Sequence, residues 1–116
     1  MKRRLLVEMG MGTSLRRQDY TEAAARAVRD ALWHNSINLA ELFGFRKENM
    51  LIDVEIGVQE PESVNPAEIA AIFPYGTPTI RVVHGGLDIA RPDGDGKPTV
   101  IANAALSVSF DMEKAK

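Results

Sequence analysis

Two segments of alternating apolar and polar residues, with an alanine-rich helical stretch before them, predict an α+β two-layer sandwich. The expected order is β-α-β-α-β-β, a four-stranded sheet with two helices on one face. The first alternating segment is Ile52-Asp53-Val54-Glu55-Ile56-Gly57-Val58, and the second spans residues 99–110 with Val100, Ala102, Ala104, Leu106, Val108 and Phe110 on one side. Between residues 19 and 35, Tyr20, Ala24, Ala27, Ala31 and His34 share a helical face, with Glu22, Arg26, Arg29 and Asp30 opposite.

The first strand is expected over residues 5–9, ending in a turn at Gly10-Met11-Gly12. Asp19 followed three residues later by Glu22 is a capping-box variant that opens the first helix, whose small buried stripe lets it lie close to the sheet. Residues 38–49 read as a connection with one helical turn near 39–43. Strand 2 ends at Pro61. Asn65-Pro66-Ala67-Glu68 then supplies a cap, a proline at the first helical position and an early acid, so a short helix is expected to about Phe73. Pro74 stops it, and a third strand is expected over residues 79–84. Residues 88–98 are polar and rich in glycine and proline, and read as a mobile connection.

The 116 residues carry 14 Lys and Arg against 16 Asp and Glu, a formal charge of −2, and one compact domain over residues 1–116 is expected. That balance argues against a nucleic-acid partner, which calls for a basic stripe. With no cysteine there is no disulfide framework, no cysteine-held metal and no thiol nucleophile. Lys2-Arg3-Arg4 precede only a short apolar run broken by Glu8, so neither a leader nor a membrane partner is expected and a cytoplasmic location is.

The face expected to lie away from the helices carries Leu6, Glu8, Asp53, Glu55, Gly57, Arg81, Val83, Ile101, Asn103, Ala105, Ser107 and Ser109. So many small and apolar side chains do not suit a wholly solvated face, and burial by a second copy is expected. Gly57 in a strand interior suggests either a bulge or the close approach of another backbone, which a second copy would supply.

The segment from Gly10 to Asp19 is the candidate ligand loop. Gly10 and Gly12 free backbone N–H groups, Thr13 and Ser14 add hydroxyls, and Arg16 and Arg17 precede a helix N-terminus that favours anions. The competing reading is a plain turn with solvated arginines. The dinucleotide signature fails because its third glycine would fall at Leu15, and the phosphate-loop signature fails too, so no cofactor is expected. His34 at the helix end is either a proton carrier beside a ligand or a C-terminal cap. Glu8 or Asp19 is a candidate proton-transfer group, and Arg81 either holds an anionic substrate or pairs with a neighbouring acid. His34, His84 and an acid lack metal-ligand spacing, so no metal site is expected; Asp93-Gly94-Asp95-Gly96 fails as a calcium loop because Lys97 replaces an oxygen ligand.

The element order resembles the small chorismate-mutase-like fold of the trimeric chorismate mutases and the imine deaminases. That resemblance implies a trimer or a multiple of it, with sites between subunits. Across nearly the whole chain, the runs Val7-Glu8-Met9-Gly10-Met11-Gly12, Gln18-Asp19, Ala27-Val28-Arg29-Asp30-Ala31, His34-Asn35-Ser36, Phe73-Pro74-Tyr75-Gly76, Gly85-Gly86 and Asn103-Ala104-Ala105 resemble a family of conserved hypothetical bacterial proteins of about this size. Arg16-Arg17 is more basic than the pair which that family pattern leads one to expect. The family resemblance implies a stand-alone small domain and assigns no activity. The expectation is therefore a homo-oligomeric enzyme or binding protein for a small anionic ligand, set against a non-catalytic assembly or regulatory protein.

Overall fold

The computed structural model describes residues 2–33, 50–73, 76–92, 94 and 96–111. In chain order these form β1 (Lys2–Ser14), α1 (Tyr20–Trp33), β2 (Leu51–Val58), a single 3-10 turn (Pro61–Ser63), α2 (Pro66–Ala70), β3 (Thr77–His84), β4 (Leu87–Ile89) and β5 (Thr99–Asp111). The main strands lie in the order β1-β5-β2-β3. β5 runs antiparallel to both β1 and β2, and β2 and β3 are parallel, joined through α2.

The sheet has five strands rather than four. β4 pairs with residues 99–101 of β5, just beyond the part of β5 taken by β2, and so continues the ladder where β2 stops. It hides in the polar stretch expected to be a mobile connection because three residues are too few to show an alternation.

A second correction concerns the glycines. β1 does not end at Met9; it runs without a turn through Gly10 and Gly12 to Ser14, paired with β5 the whole way apart from an irregularity between Arg4 and Leu6. A Cβ on Gly10 would overlap the Ala27 carbonyl oxygen and the Ala31 nitrogen, and one on Gly12 would overlap the Ala23 carbonyl oxygen and the Ala27 nitrogen. Both glycines therefore exist to let α1 lie directly on the strand. Ala23, Ala24, Ala27 and Ala31 are completely buried on the helix side of the same contact. Glycine against alanine brings two backbones closer than larger side chains would allow.

Directly opposed residues in neighbouring strands point to the same side, so register sorts the two faces. Ile52, Val54, Ile56, Val100, Ala102, Ala104, Leu106 and Val108 are buried beneath the helices, joined by Ile69 of α2 and by Val28. Glu8 pairs with Leu106 and thus belongs to this covered face, not to the open one where it was expected. The irregularity after Arg4 does not alter that assignment, since the register is continuous from Leu6 onward.

β1 is an outer strand, and unpaired edge groups invite further strands. α1 shields this edge: Asp30 Oδ2 accepts the Met11 N–H at 2.9 Å, and Arg26 Nη1 donates to the Thr13 carbonyl at 2.8 Å. The helix thus covers the edge as well as the face.

At the other end, Gly85 and Gly86 carry the chain from β3 to β4. Gly85 passes against Gly57, whose Cβ direction meets the Gly85 Cα at 3.3 Å. The backbone that approaches Gly57 belongs to the same chain, which replaces the expectation that a second copy does so. Gln59 fastens this crossing by donating to the carbonyls of Gly85 and Gly86 at 2.9 and 3.1 Å.

Candidate functional site

β1 and α1 are joined by residues 15–19, and the join is tightly bonded at its ends. The buried Ser14 hydroxyl accepts the Asp19 N–H at 3.2 Å, and Asp19 Oδ1 accepts the Glu22 N–H at 2.9 Å, which is the helix cap that the sequence pattern predicts. Between them Gln18 has φ +52°, in the left-handed region; among the described residues it is the one non-glycine there. Such a conformation costs of order 1–3 kcal/mol and persists only where surrounding contacts enforce it. Here Gln18 Nε2 donates to the Tyr20 hydroxyl at 3.2 Å.

The Tyr20 hydroxyl in turn donates to Asp88 Oδ2 on β4. The second carboxylate oxygen, Asp88 Oδ1, is buried with no hydrogen-bond partner among the described residues. This chain of contacts ties the start of α1 to the strand that sequence periodicity did not reveal. Burial pushes the Tyr20 phenol above its ordinary value, and the hydrogen bond to Asp88 pushes it the same way. A raised phenol pKa holds the proton on the folded protein, so the stability it contributes is complete below pH 10.0 and declines as pH rises beyond it. Tyr20→Phe is expected to flatten that alkaline decline in urea unfolding midpoints. At neutral pH it should lower stability by about 1–3 kcal/mol, because Asp88 then loses its donor. Identical alkaline slopes for the two proteins would refute the assignment.

In front of this network lies an open cleft of about 460 Å³ lined by Arg17, Gln18, Asp19, Tyr20, Glu60, Ser63 and Lys97. Neither Arg17 nor Lys97 is paired with a carboxylate among the described residues. Glu60 Oε2 accepts the Ser63 hydroxyl at 3.4 Å, a long bond that leaves most of its capacity free. Thr21 ties α1 to the segment that follows Glu60, accepting the Asn65 N–H at 2.9 Å and donating to the Ser63 carbonyl at 3.3 Å.

The residues proposed from sequence are dispersed by the fold. Arg17 and Asp19 share this cleft, whereas Arg16 lines a separate groove of about 350 Å³ with Leu15, Ile89, Arg91 and Pro92. Gly10, Gly12, Thr13 and Ser14 lie in β1 rather than in a loop. The two glycines pack against α1, the Thr13 carbonyl receives Arg26, and the Ser14 hydroxyl receives Asp19, so a glycine-hydroxyl anion cradle is not assembled. Glu8 sits on the covered face. Arg81 is on the open face 3.8 Å from Glu55, an exposed ion pair of the kind that contributes at most about 1 kcal/mol. His34 lies outside the described residues, and His84 ends β3. No cluster of metal-ligating side chains occurs among the described residues.

Sequence reasoning missed Gln18, Glu60, Ser63, Asp88 and Lys97. These come from four separate stretches, and none forms a local pattern. The available signal was Tyr20 itself, a polar-tipped residue on an otherwise alanine stripe, whose buried hydroxyl needs a partner.

No curated protein matches the chain. A solved structure, that of an FtsZ-like protein of unknown function from Nostoc punctiforme, is 37% identical with a TM-score of 0.82, covering 94% of this chain and 96% of the other. The family model described as a conserved hypothetical protein (Lin0512_fam) matches residues 4–108, spanning everything from β1 to most of β5. On that match the chain belongs to the Lin0512 family of conserved hypothetical proteins.

Proposed function

We propose that this protein is a homo-oligomer that binds a small molecule, its copies held together through the sheet face that the helices leave open. The supporting observation is where the exposed large apolar side chains lie. Of the six such side chains among the described residues, Val7, Met9 and Met11 of β1 and Leu87 and Ile89 of β4 are 41–73% exposed and register places these five on the open face, while the sixth, Leu15, follows β1. Scattered single apolar residues need no explanation, but a contiguous patch on one face favours an interface.

The charges of that face leave the patch accessible to a second copy. Lys2 pairs with Asp53 at 2.9 Å and Arg81 with Glu55 at 3.8 Å, which reduces the charge that opposing copies meet, while Arg4, opposite Ser109 on the same face, has no ion pair among the described residues. Beside Met9, a hollow of about 270 Å³ is floored by Gly57, Asn103 and Ala105. Methionine is flexible enough to fill such a gap from a neighbouring copy. The finer fold reading we favour is the chorismate-mutase-like arrangement, supported by the β-α-β-α-β-β order once β4 is set aside and by both helices lying on one face. On that reading the stoichiometry is a trimer or a multiple of it.

Light scattering should give at least twice the monomer mass of 12.7 kDa for the natural chain. Met9→Lys with Met11→Lys should shift it toward 12.7 kDa and weaken association at least about tenfold, since each lysine would carry an unpaired charge into an apolar contact. A natural chain that stays monomeric at micromolar concentration refutes the reading. The non-catalytic alternative draws support from one observation, the packing of Gly10 and Gly12 against α1.

A further inference from the structure

We infer that the cleft at the start of α1 takes a small zwitterion, a molecule carrying both a carboxylate and a protonated amine, rather than a simple anion. The inference deepens the small-molecule half of the proposed function and does not depend on the sheet-face interface, because every lining residue comes from one chain.

The cleft carries charges of both signs. Arg17 and Lys97 bring two positive charges, neither of them in an ion pair with a carboxylate among the described residues. Asp19 and Glu60 bring two negative ones. Asp19 is partly committed, since one of its oxygens caps α1, while Glu60 has only the long bond from Ser63. A ligand with negative charge alone would be drawn by Arg17 and Lys97 and opposed by Glu60. One with positive charge alone would meet the reverse. A dipolar ligand satisfies both sets, and discrimination of this kind rests on the repulsive element as much as on the attractive one.

Three further features fit the same class. The guanidinium of Arg17 presents a planar fork suited to two parallel hydrogen bonds with a carboxylate, which a lysine cannot offer. The cleft is open and its lining is polar, so a compact hydrophilic ligand is favoured over an apolar one. The left-handed Gln18 follows Arg17 directly and is anchored to Tyr20, so backbone strain is held at the residue that sets where Arg17 departs from the chain.

The test is calorimetric titration of the full chain at neutral pH with L-alanine, propionate, which is alanine without its amine, and ethylamine, which is alanine without its carboxylate, and with inorganic phosphate as a fourth probe. Alanine is expected to bind, with propionate and ethylamine each at least about tenfold weaker because each leaves one charged pair of the cleft unmatched. Arg17→Ala and Glu60→Gln should each weaken alanine at least about tenfold while leaving the unfolding midpoint within error, since both side chains lie at the rim of an open cleft. Propionate or phosphate binding as tightly as alanine would overturn the inference in favour of an anion site. Absence of heat with all four probes at millimolar concentration would also overturn it. Light scattering on the same samples separates the two claims: an intact oligomer without alanine binding refutes the zwitterion site alone, and a monomer that binds alanine refutes the sheet-face assembly alone.

Discussion

Gly12→Val is expected to prevent stable folding, or to lower unfolding free energy by about 3 kcal/mol or more, the upper end of the range for forcing extra atoms into a packed interior. The added Cβ would overlap the Ala23 carbonyl oxygen and the Ala27 nitrogen, which are atoms of the helix backbone and have no rotamer with which to retreat. α1 must then lift from β1, and its lift also breaks the bonds by which Asp30 and Arg26 cover the strand edge. Even Gly12→Ala is expected to show most of this loss. Because the obstruction is backbone, trimming Ala27 to glycine in the same chain should not rescue it. Urea unfolding midpoints of the three variants provide the check, and full stability of Gly12→Ala would mean that helix and strand are not in the contact described.

The second large effect is expected at Gly86, where two penalties coincide. Its φ is +61°, so any other residue there carries left-handed strain. A Cβ would also overlap the Ile101 carbonyl oxygen and lie 2.9 Å from that of Gly57. Gly86→Ala should therefore cost about 3 kcal/mol or more, by strain and overpacking together. Gly94 is the control. It shares the positive φ, at +73°, but none of the described residues beyond its chain neighbours lies within 4 Å of its Cβ position. Gly94→Ala should lose only about 1–2 kcal/mol, the strain alone. Equal losses at the two positions would show that the crossing of Gly85 and Gly86 over Gly57 is not a packed contact.

Much of the architecture is readable from periodicity and capping chemistry because these are local. The alternation of residues 52–58 is realised as β2 with Ile52, Val54, Ile56 and Val58 buried. Asp19 caps α1 through the Glu22 N–H, and Asn65 caps α2 by accepting the Ala67 N–H at 3.0 Å. In each case the residues that make the structure lie within a few positions of one another, so the pattern that encodes it is visible along the chain.

The glycines show where local reading stops. Gly10-Met11-Gly12 has the composition of a turn, and a strand interior is normally a poor place for glycine. Its meaning changes only when α1, more than ten residues later, lies across it. The same holds for Gly57, whose neighbour is Gly85. A missing side chain records that something comes close, and says nothing of what does.

The sequence by itself determined the mixed α+β class, the positions and caps of the helices, the buried face of β2 and the small-residue stripe of α1, all set by interactions over a few residues. Only the tertiary structure decided that β1 continues through its glycines, that Glu8 shares the sheet face on which the helices lie and that β4 completes the sheet. It also decided that Arg17 stands with Lys97 and Glu60 while Arg16 turns to a different groove. Those outcomes depend on register and on backbone contacts between distant segments, and a one-residue change of register or a single intervening side chain would reverse them.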